Sequence, residues 1–262
     1  MKKMKNKSFK LNMVLNGIKG LMGILFPLIS FPYVSRVLGV ENLGRFNFAS
    51  SVVSYFILVA NLGITPYAIR ECAKVRESRK KADVFASDIF TINLISVLFS
   101  IAMLVITVFS VRKLSDYRTI ITILAMQIPL NLIGVEWVFS AFEDYFYITI
   151  RSIFFQFLSL ILLFAFVKNE NSLIIYSIIT VVSAAGVNIL NWKLAKKYVR
   201  IRIDFSDRLK KHMKPILLLF AMTVAGTVYS STDMTILGFM CDDTSVGLYS
   251  VSTKVYNVVK TV

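Results

Sequence analysis

The chain has 262 residues, 56% of them apolar, and its 30 Lys and Arg against 15 Asp and Glu give a formal charge of +15. A soluble domain is roughly 45 to 50% apolar, and here the apolar residues lie in blocks too long for a soluble core. Charged residues, 17% of the chain, sit between those blocks, which excludes a disordered chain and a nucleic-acid-binding domain with a basic face.

A hydrocarbon core about 30 Å thick is crossed by about 20 helical residues at 1.5 Å each. By that measure 11–34, 44–67, 84–111, 119–139, 147–167, 172–194 and 215–240 read as seven spans, and the block from 247 onward as an eighth, unfinished one. No short apolar stretch with a small-residue cleavage site opens the chain, so the first block is expected to be a retained helix. The fold class is therefore an all-α integral membrane protein. Its expected parts are a basic cytoplasmic tail at 1–10, a six-helix lobe at 11–194, a cytoplasmic linker at 195–214 and the first two helices of a second lobe at 215–262.

The charges order these spans across the membrane. Basic residues crowd the N-terminal tail, the segment from Arg70 to Lys81, Arg151, and the segment from Lys193 to Lys214, while the alternate loops are sparse. Of the 30 basic residues, 21 fall on one side, which the positive-inside rule makes cytoplasmic together with the N-terminus. Cys72 and Cys241 then lie on opposite sides and cannot pair.

A repeat is visible in the chain. Leu38-Gly39, a short polar link and Gly44-Arg-Phe46 match Leu237-Gly238, a polar link and Gly247-Leu-Tyr249, each joining a span to the next. Six spans separate the two, so the repeat is parallel and its axis runs along the membrane normal. On that logic the second lobe is cut short, with roughly four more spans expected beyond Val262.

Enzyme signatures are missing: no phosphate-binding Gly-rich loop, no Gly-x-Ser-x-Gly elbow and no His-Glu-x-x-His. His212 reads as part of a solvated basic loop, and Glu143-Asp144 and Asp242-Asp243 read as solvated turns, so no catalytic residue and no metal ligand set is expected. Pro27 and Pro32 in the first span, with Pro66 and Pro129 further on, are candidate kinks or hinges. Gly17, Gly20 and Gly23 leave one side of the first span thin, which permits close helix packing or, less readily, a widened cavity.

Ionisable residues inside spans carry the strongest functional signal, because a charge in hydrocarbon costs about 3 kcal/mol on insertion scales. Lys19, Glu136, Asp233 and Lys254 are such residues, and Arg36 and Arg151 stand at span ends. Lys19, Arg36, Arg151 and Lys254 are the cations available to a negatively charged ligand. Glu136 and Asp233 are candidates for coupling or gating, and Arg36 with Asp233 could close an outer gate because the repeat puts them at similar depth.

The stretches from Phe31 to Gly39 and from Gly63 to Glu71 are similar to the start of bacterial oligosaccharide flippases of the polysaccharide transporter family. So are Glu136-Trp137, the run from Phe142 to Arg151, Lys214-Pro-Ile, the run from Ser231 to Gly238 and that from Val246 to Ser250. That family shares a superfamily with multidrug and toxic-compound extrusion transporters and lipid II flippases. The resemblance implies a two-lobe, alternating-access transporter with about 12 to 14 spans when complete. It implies an undecaprenyl-pyrophosphate-linked sugar repeat unit as substrate, carried to the outer leaflet for capsule or O-antigen assembly. A polymerase and glycosyltransferases would be partners. No cofactor is expected beyond a possible coupling ion, H+ or Na+, and no nucleic acid. An ion-coupled drug or cation exporter and, less readily, a membrane-embedded polysaccharide polymerase remain the alternatives.

Overall fold

The structure is a computed structural model that describes residues 9–261. The expected N-terminal tail lies, through residue 8, outside the described residues. Among the described residues six helical runs are long and apolar enough to cross a membrane, and the first, Met13–Val75, has 63 residues. The chain is thus an all-α membrane protein.

The helix α1, Phe9–Asn61, would be about 80 Å long if straight at 1.5 Å per residue. It bends at Gly39, where φ 75° and ψ 168° are open to glycine because it lacks a Cβ. The two limbs on either side run in opposite directions, as the hydrogen bonds along them require. At one end of the first limb Thr149 donates to the Leu15 carbonyl, and at the other Tyr33 donates to that of Val167, so this limb runs parallel to α7, Tyr145–Phe166. Ser100 donates to the carbonyl of Phe56 and Ser96 to that of Ala60, so the second limb runs antiparallel to α3, Arg79–Ser110. Both α3 and α7 begin where α8, Leu173–Ala195, ends: Arg79 donates to the Lys196 and Lys197 carbonyls, and Tyr147 to Asn191. Folded at Gly39, the first run supplies two crossings, and the seven expected spans are present.

The helix continues through Pro27 and Pro32, and the break falls at Gly39 instead. Of the two expectations for Gly17, Gly20 and Gly23, close packing is not met among the described residues: a Cβ at any of them would meet nothing within 4 Å, which leaves the open space of the other. The fourth span is not one helix but three. After a 3-10 turn at Arg112–Tyr117 come α4 (Arg118–Ala125), α5 (Gln127–Gly134) and α6 (Glu136–Ala141). Pro129 has no N–H to give the Ala125 carbonyl, which ends α4, and Val135 at φ 32° separates α5 from α6.

Between α1 and α2, Ile64–Val75, the chain turns through Leu62 and Gly63, both at positive φ. A Cβ on Gly63 would press on the backbone of α9, Lys210–Met240, at Leu219 and Phe220. Further along the same face, Thr235 of α9 donates to Ser51, and Ser54 donates to Ser231. The tightest approach joins α1 to α10, Asp243–Thr261: a Cβ on Gly44 would overlap the Asp243 carbonyl, and one on Gly247 the Val40 carbonyl. With Gly44 aligned on Gly247, Val40 aligns on Asp243, so each repeat element touches the other reciprocally, as a two-fold axis demands. The equivalence is incomplete elsewhere. Gly39 bends its helix, whereas its counterpart Gly238 stays helical and receives the ring of Phe48.

The segment between α8 and α9 has most of its side chains exposed, but its backbone is pinned. The backbone N–H groups of Arg200, Arg202 and Asp204 donate to Asp83, Ser87 and Thr91 at 2.7, 3.0 and 3.1 Å. Two residues of extended chain advance about 6.6 Å and four of helix about 6.0 Å, so alternate N–H groups meet every fourth side chain of α3. His212, expected in a solvated loop, is buried in α9, hydrogen-bonded at 2.7 Å to Tyr67 and 3.5 Å from the buried Asp88. The other Asp88 oxygen is 3.4 Å from Arg208.

Candidate functional site

Three of the sequence-predicted residues meet in one place. Lys19 on the first limb of α1, Glu136 at the start of α6 and Arg151 on α7 come together because the Val135 turn points the fourth span's broken end at those helices. The Lys19 ammonium donates to Glu136 Oε1 at 2.9 Å and Arg151 to Oε2 at 2.7 Å. Arg151 is 3% exposed, whereas Lys19 and Glu136 are 37% and 41% exposed, so the cluster has a buried root and an accessible tip.

Residues that sequence reasoning missed hold that root. Arg151 also donates to Asn191 Oδ1, as does Tyr147 at 3.1 Å, and the Arg151 guanidinium lies 5.3 Å from the centre of the Tyr147 ring. Asn191 and Tyr147 carry no charge, and nothing in their spacing marks them. Within this root two donors, Arg151 Nε and Asn191 Nδ2, have no partner among the described residues. With two cations on one carboxylate, the cluster carries one net positive charge.

A cavity of about 360 Å³ opens beside Glu136, lined by the amides of Asn61, Asn93, Asn131 and Asn188. Gly134 makes room for it, since a Cβ there would lie 2.6 Å from Asn188 Oδ1, and Asn188 in turn donates to Asn131.

The remaining predicted residues lie elsewhere. Arg36 is exposed, and Asp233 is exposed and accepts from Tyr249 at 2.6 Å; no Arg36–Asp233 ion pair forms among the described residues. The acid engaged at that end of α9 and α10 is another: Asp243 accepts from Tyr117 at 2.6 Å and lies 3.9 Å from Arg45. Asp243 is thus no solvated turn. Glu143 is not free either, pairing with Arg76 at 2.7 Å. The Lys254 ammonium lies 4.6 Å from the centre of the Phe31 ring. Cys72 is buried and Cys241 exposed, both free. Among the described residues no three His, Cys, Asp or Glu side chains are placed to hold a metal ion.

Helices that bury a charged cluster between them beside an amide-lined cavity define a multi-span membrane protein with a polar internal site. Residues 11–262 match the family model described as polysaccharide biosynthesis protein, and the chain belongs to that family. It is 25% identical over 240 residues to the protein of Escherichia coli (strain K12) named "Putative O-antigen transporter". That match covers 90% of this chain and 57% of the relative, so the chain spans little more than half the relative's length. No solved structure matches it significantly.

Proposed function

We propose that the protein carries a lipid-linked oligosaccharide, an undecaprenyl-pyrophosphate-linked repeat unit, from the cytoplasmic to the outer leaflet of the cytoplasmic membrane. It acts as a transporter rather than an enzyme, and the product feeds O-antigen or capsule assembly. The observation that carries this reading is the meeting of Lys19 and Arg151 on the single carboxylate of Glu136 inside a helical membrane lobe. Glu136 stands where a phosphate oxygen would sit. An arriving pyrophosphate, with more charge and more acceptors, takes over both cations, and the displaced carboxylate is free to bind a proton or Na+. Exchange of partners would link substrate arrival to ion binding without leaving a bare charge in hydrocarbon.

Orientation rests on the crowding of basic residues at one end. Arg79, Lys196, Lys197, Arg200 and Arg202 lie close together there, and the positive-inside rule makes that end, with the N-terminus, cytoplasmic. Arg36 lies about 26 Å further along α1 from Lys19 and would act later on the path, with Asp233 and Lys254 on the second lobe. A drug or cation exporter would need an uncompensated carboxylate, whereas Glu136 is engaged twice.

The test is surface polysaccharide output in cells carrying full-length Lys19→Ala or Arg151→Ala protein. Polymer is expected to fall at least about tenfold, the equivalent of about 1.4 kcal/mol, at unchanged membrane insertion. Normal output from both variants would remove the head-group role.

A further inference from the structure

A second cavity of about 370 Å³ lies between the first limb of α1, α7 and α8, with Lys254 of α10 on its wall. Small-ligand pockets span roughly 300 to 1,000 Å³. Ser152 and Gln156 face it from α7 at a spacing of four, and Thr180 and Ser183 from α8 at a spacing of three, so each helix turns a polar stripe inward. Thr180 donates its hydroxyl to the Tyr176 carbonyl at 2.9 Å and Ser183 to that of Ile179 at 2.7 Å, which leaves their oxygens as acceptors toward the cavity. Gln156 Oε1 is buried and has no hydrogen-bond partner among the described residues. Gln156 is thus an unmatched acceptor among hydroxyl oxygens with acceptor capacity to spare, and an unmatched polar group within a membrane costs several kcal/mol.

The wall is also aromatic. The rings of Phe155 and Tyr176 line it, and Phe155 rests on the backbone of Gly186, where a Cβ would overlap the ring. A suitable ligand therefore brings several O–H donors and an apolar C–H face for the rings. A phosphate brings only acceptors, and the cation on the wall, Lys254, is held 4.6 Å from the centre of the Phe31 ring; an acyl chain would leave Gln156 unpaired. We propose that this cavity is a subsite for a sugar ring of the transported oligosaccharide, separate from the Lys19–Glu136–Arg151 cluster. This rests on the proposed transport function, and the head group would lie about 12 Å back along α1, the distance from Lys19 to Pro27.

The experiment uses the full chain in lipid nanodiscs, with Cys72→Ala and Cys241→Ala to remove the native thiols and Ser183→Cys as a reporter. Its maleimide-labelling rate is measured with the methyl glycosides of glucose, galactose and N-acetylglucosamine, and separately with inorganic pyrophosphate. One glycoside is expected to slow labelling by the factor 1 + [L]/Kd, about tenfold at ten times Kd, and Gln156→Leu to remove most of that protection. Pyrophosphate is expected to leave labelling unchanged while binding the protein in equilibrium dialysis, and to lose that binding in Lys19→Ala. Unchanged labelling with all three glycosides at about 100 mM would overturn the subsite, as would protection by pyrophosphate or protection indifferent to Gln156→Leu. Glycoside protection without any pyrophosphate binding would support the subsite and sink the head-group reading instead. Ser152→Cys is the second reporter should Ser183→Cys fail to fold.

Discussion

Arg151 is the residue on which the cluster turns, because it is buried while both its ionic neighbours reach solvent. Removing one partner of a buried pair costs about 3 to 5 kcal/mol, whereas loss of an exposed pair costs at most about 1 kcal/mol. Glu136→Gln strips Arg151 of its counter-charge and is expected to lower the unfolding temperature in nanodiscs clearly more than Lys19→Gln does; equal effects would contradict the assigned burial. Lys19, Glu136 and Arg151 were legible one by one, as charges in or beside apolar blocks. Their meeting was not, since 117 residues separate Lys19 from Glu136. Asp88 met the same criterion, an acid within an apolar block, and is fully buried beside His212, yet went unremarked. Asn191 and Tyr147 had no such signal, because a neutral hydrogen-bonding residue in a span is common.

Among the elements, the helix crossing at Gly44 and Gly247 depends on the absence of side chains. Overpacking a close contact costs about 1 to 3 kcal/mol, so Gly44→Leu and Gly247→Leu are each expected to lower thermal stability by that amount and to part α1 from α10. Reciprocity adds a sharper expectation: the double variant should cost less than the sum of the two, since either one alone already separates the helices. The Leu-Gly and Gly-x-aromatic pattern exposed this pair in the sequence. That the two glycines touch each other, rather than merely correspond, required the fold. The broken fourth span was half legible. Pro129 announced an interruption, but Val135 at positive φ, a position that disfavours a β-branched residue, could not be read from its identity.

At the scale of the molecule, the strap at 200–204 fastens the chain entering α9 to α3. Amide hydrogen exchange of Arg200, Arg202 and Asp204 is expected to be slow and to accelerate at least about tenfold in an Asp83→Ala, Ser87→Ala, Thr91→Val protein, which corresponds to about 1.4 kcal/mol of lost protection. Unchanged exchange at these amides would show that other contacts hold the strap. Nine basic residues within 193–214 make this stretch read as a cytoplasmic linker, and the Arg200 and Arg202 side chains are exposed. Yet a basic segment can lie along a helix when its backbone, not its side chains, makes the bonds.

The sequence by itself determined that the chain is helical and has apolar runs long enough to span a membrane, with basic residues crowded between some of them. These follow from local quantities: runs of apolar residues long enough for a bilayer and charges too costly to bury. Only the tertiary structure decided that Lys19 and Arg151 share Glu136, that Asp243 rather than Asp233 meets Arg45 and Tyr117, and that Gln156 faces a hydroxyl-lined cavity. Those are partnerships between distant residues. They are set by how bent and broken helices pack, and a one-dimensional pattern records the period of a helix but not the neighbour it turns toward.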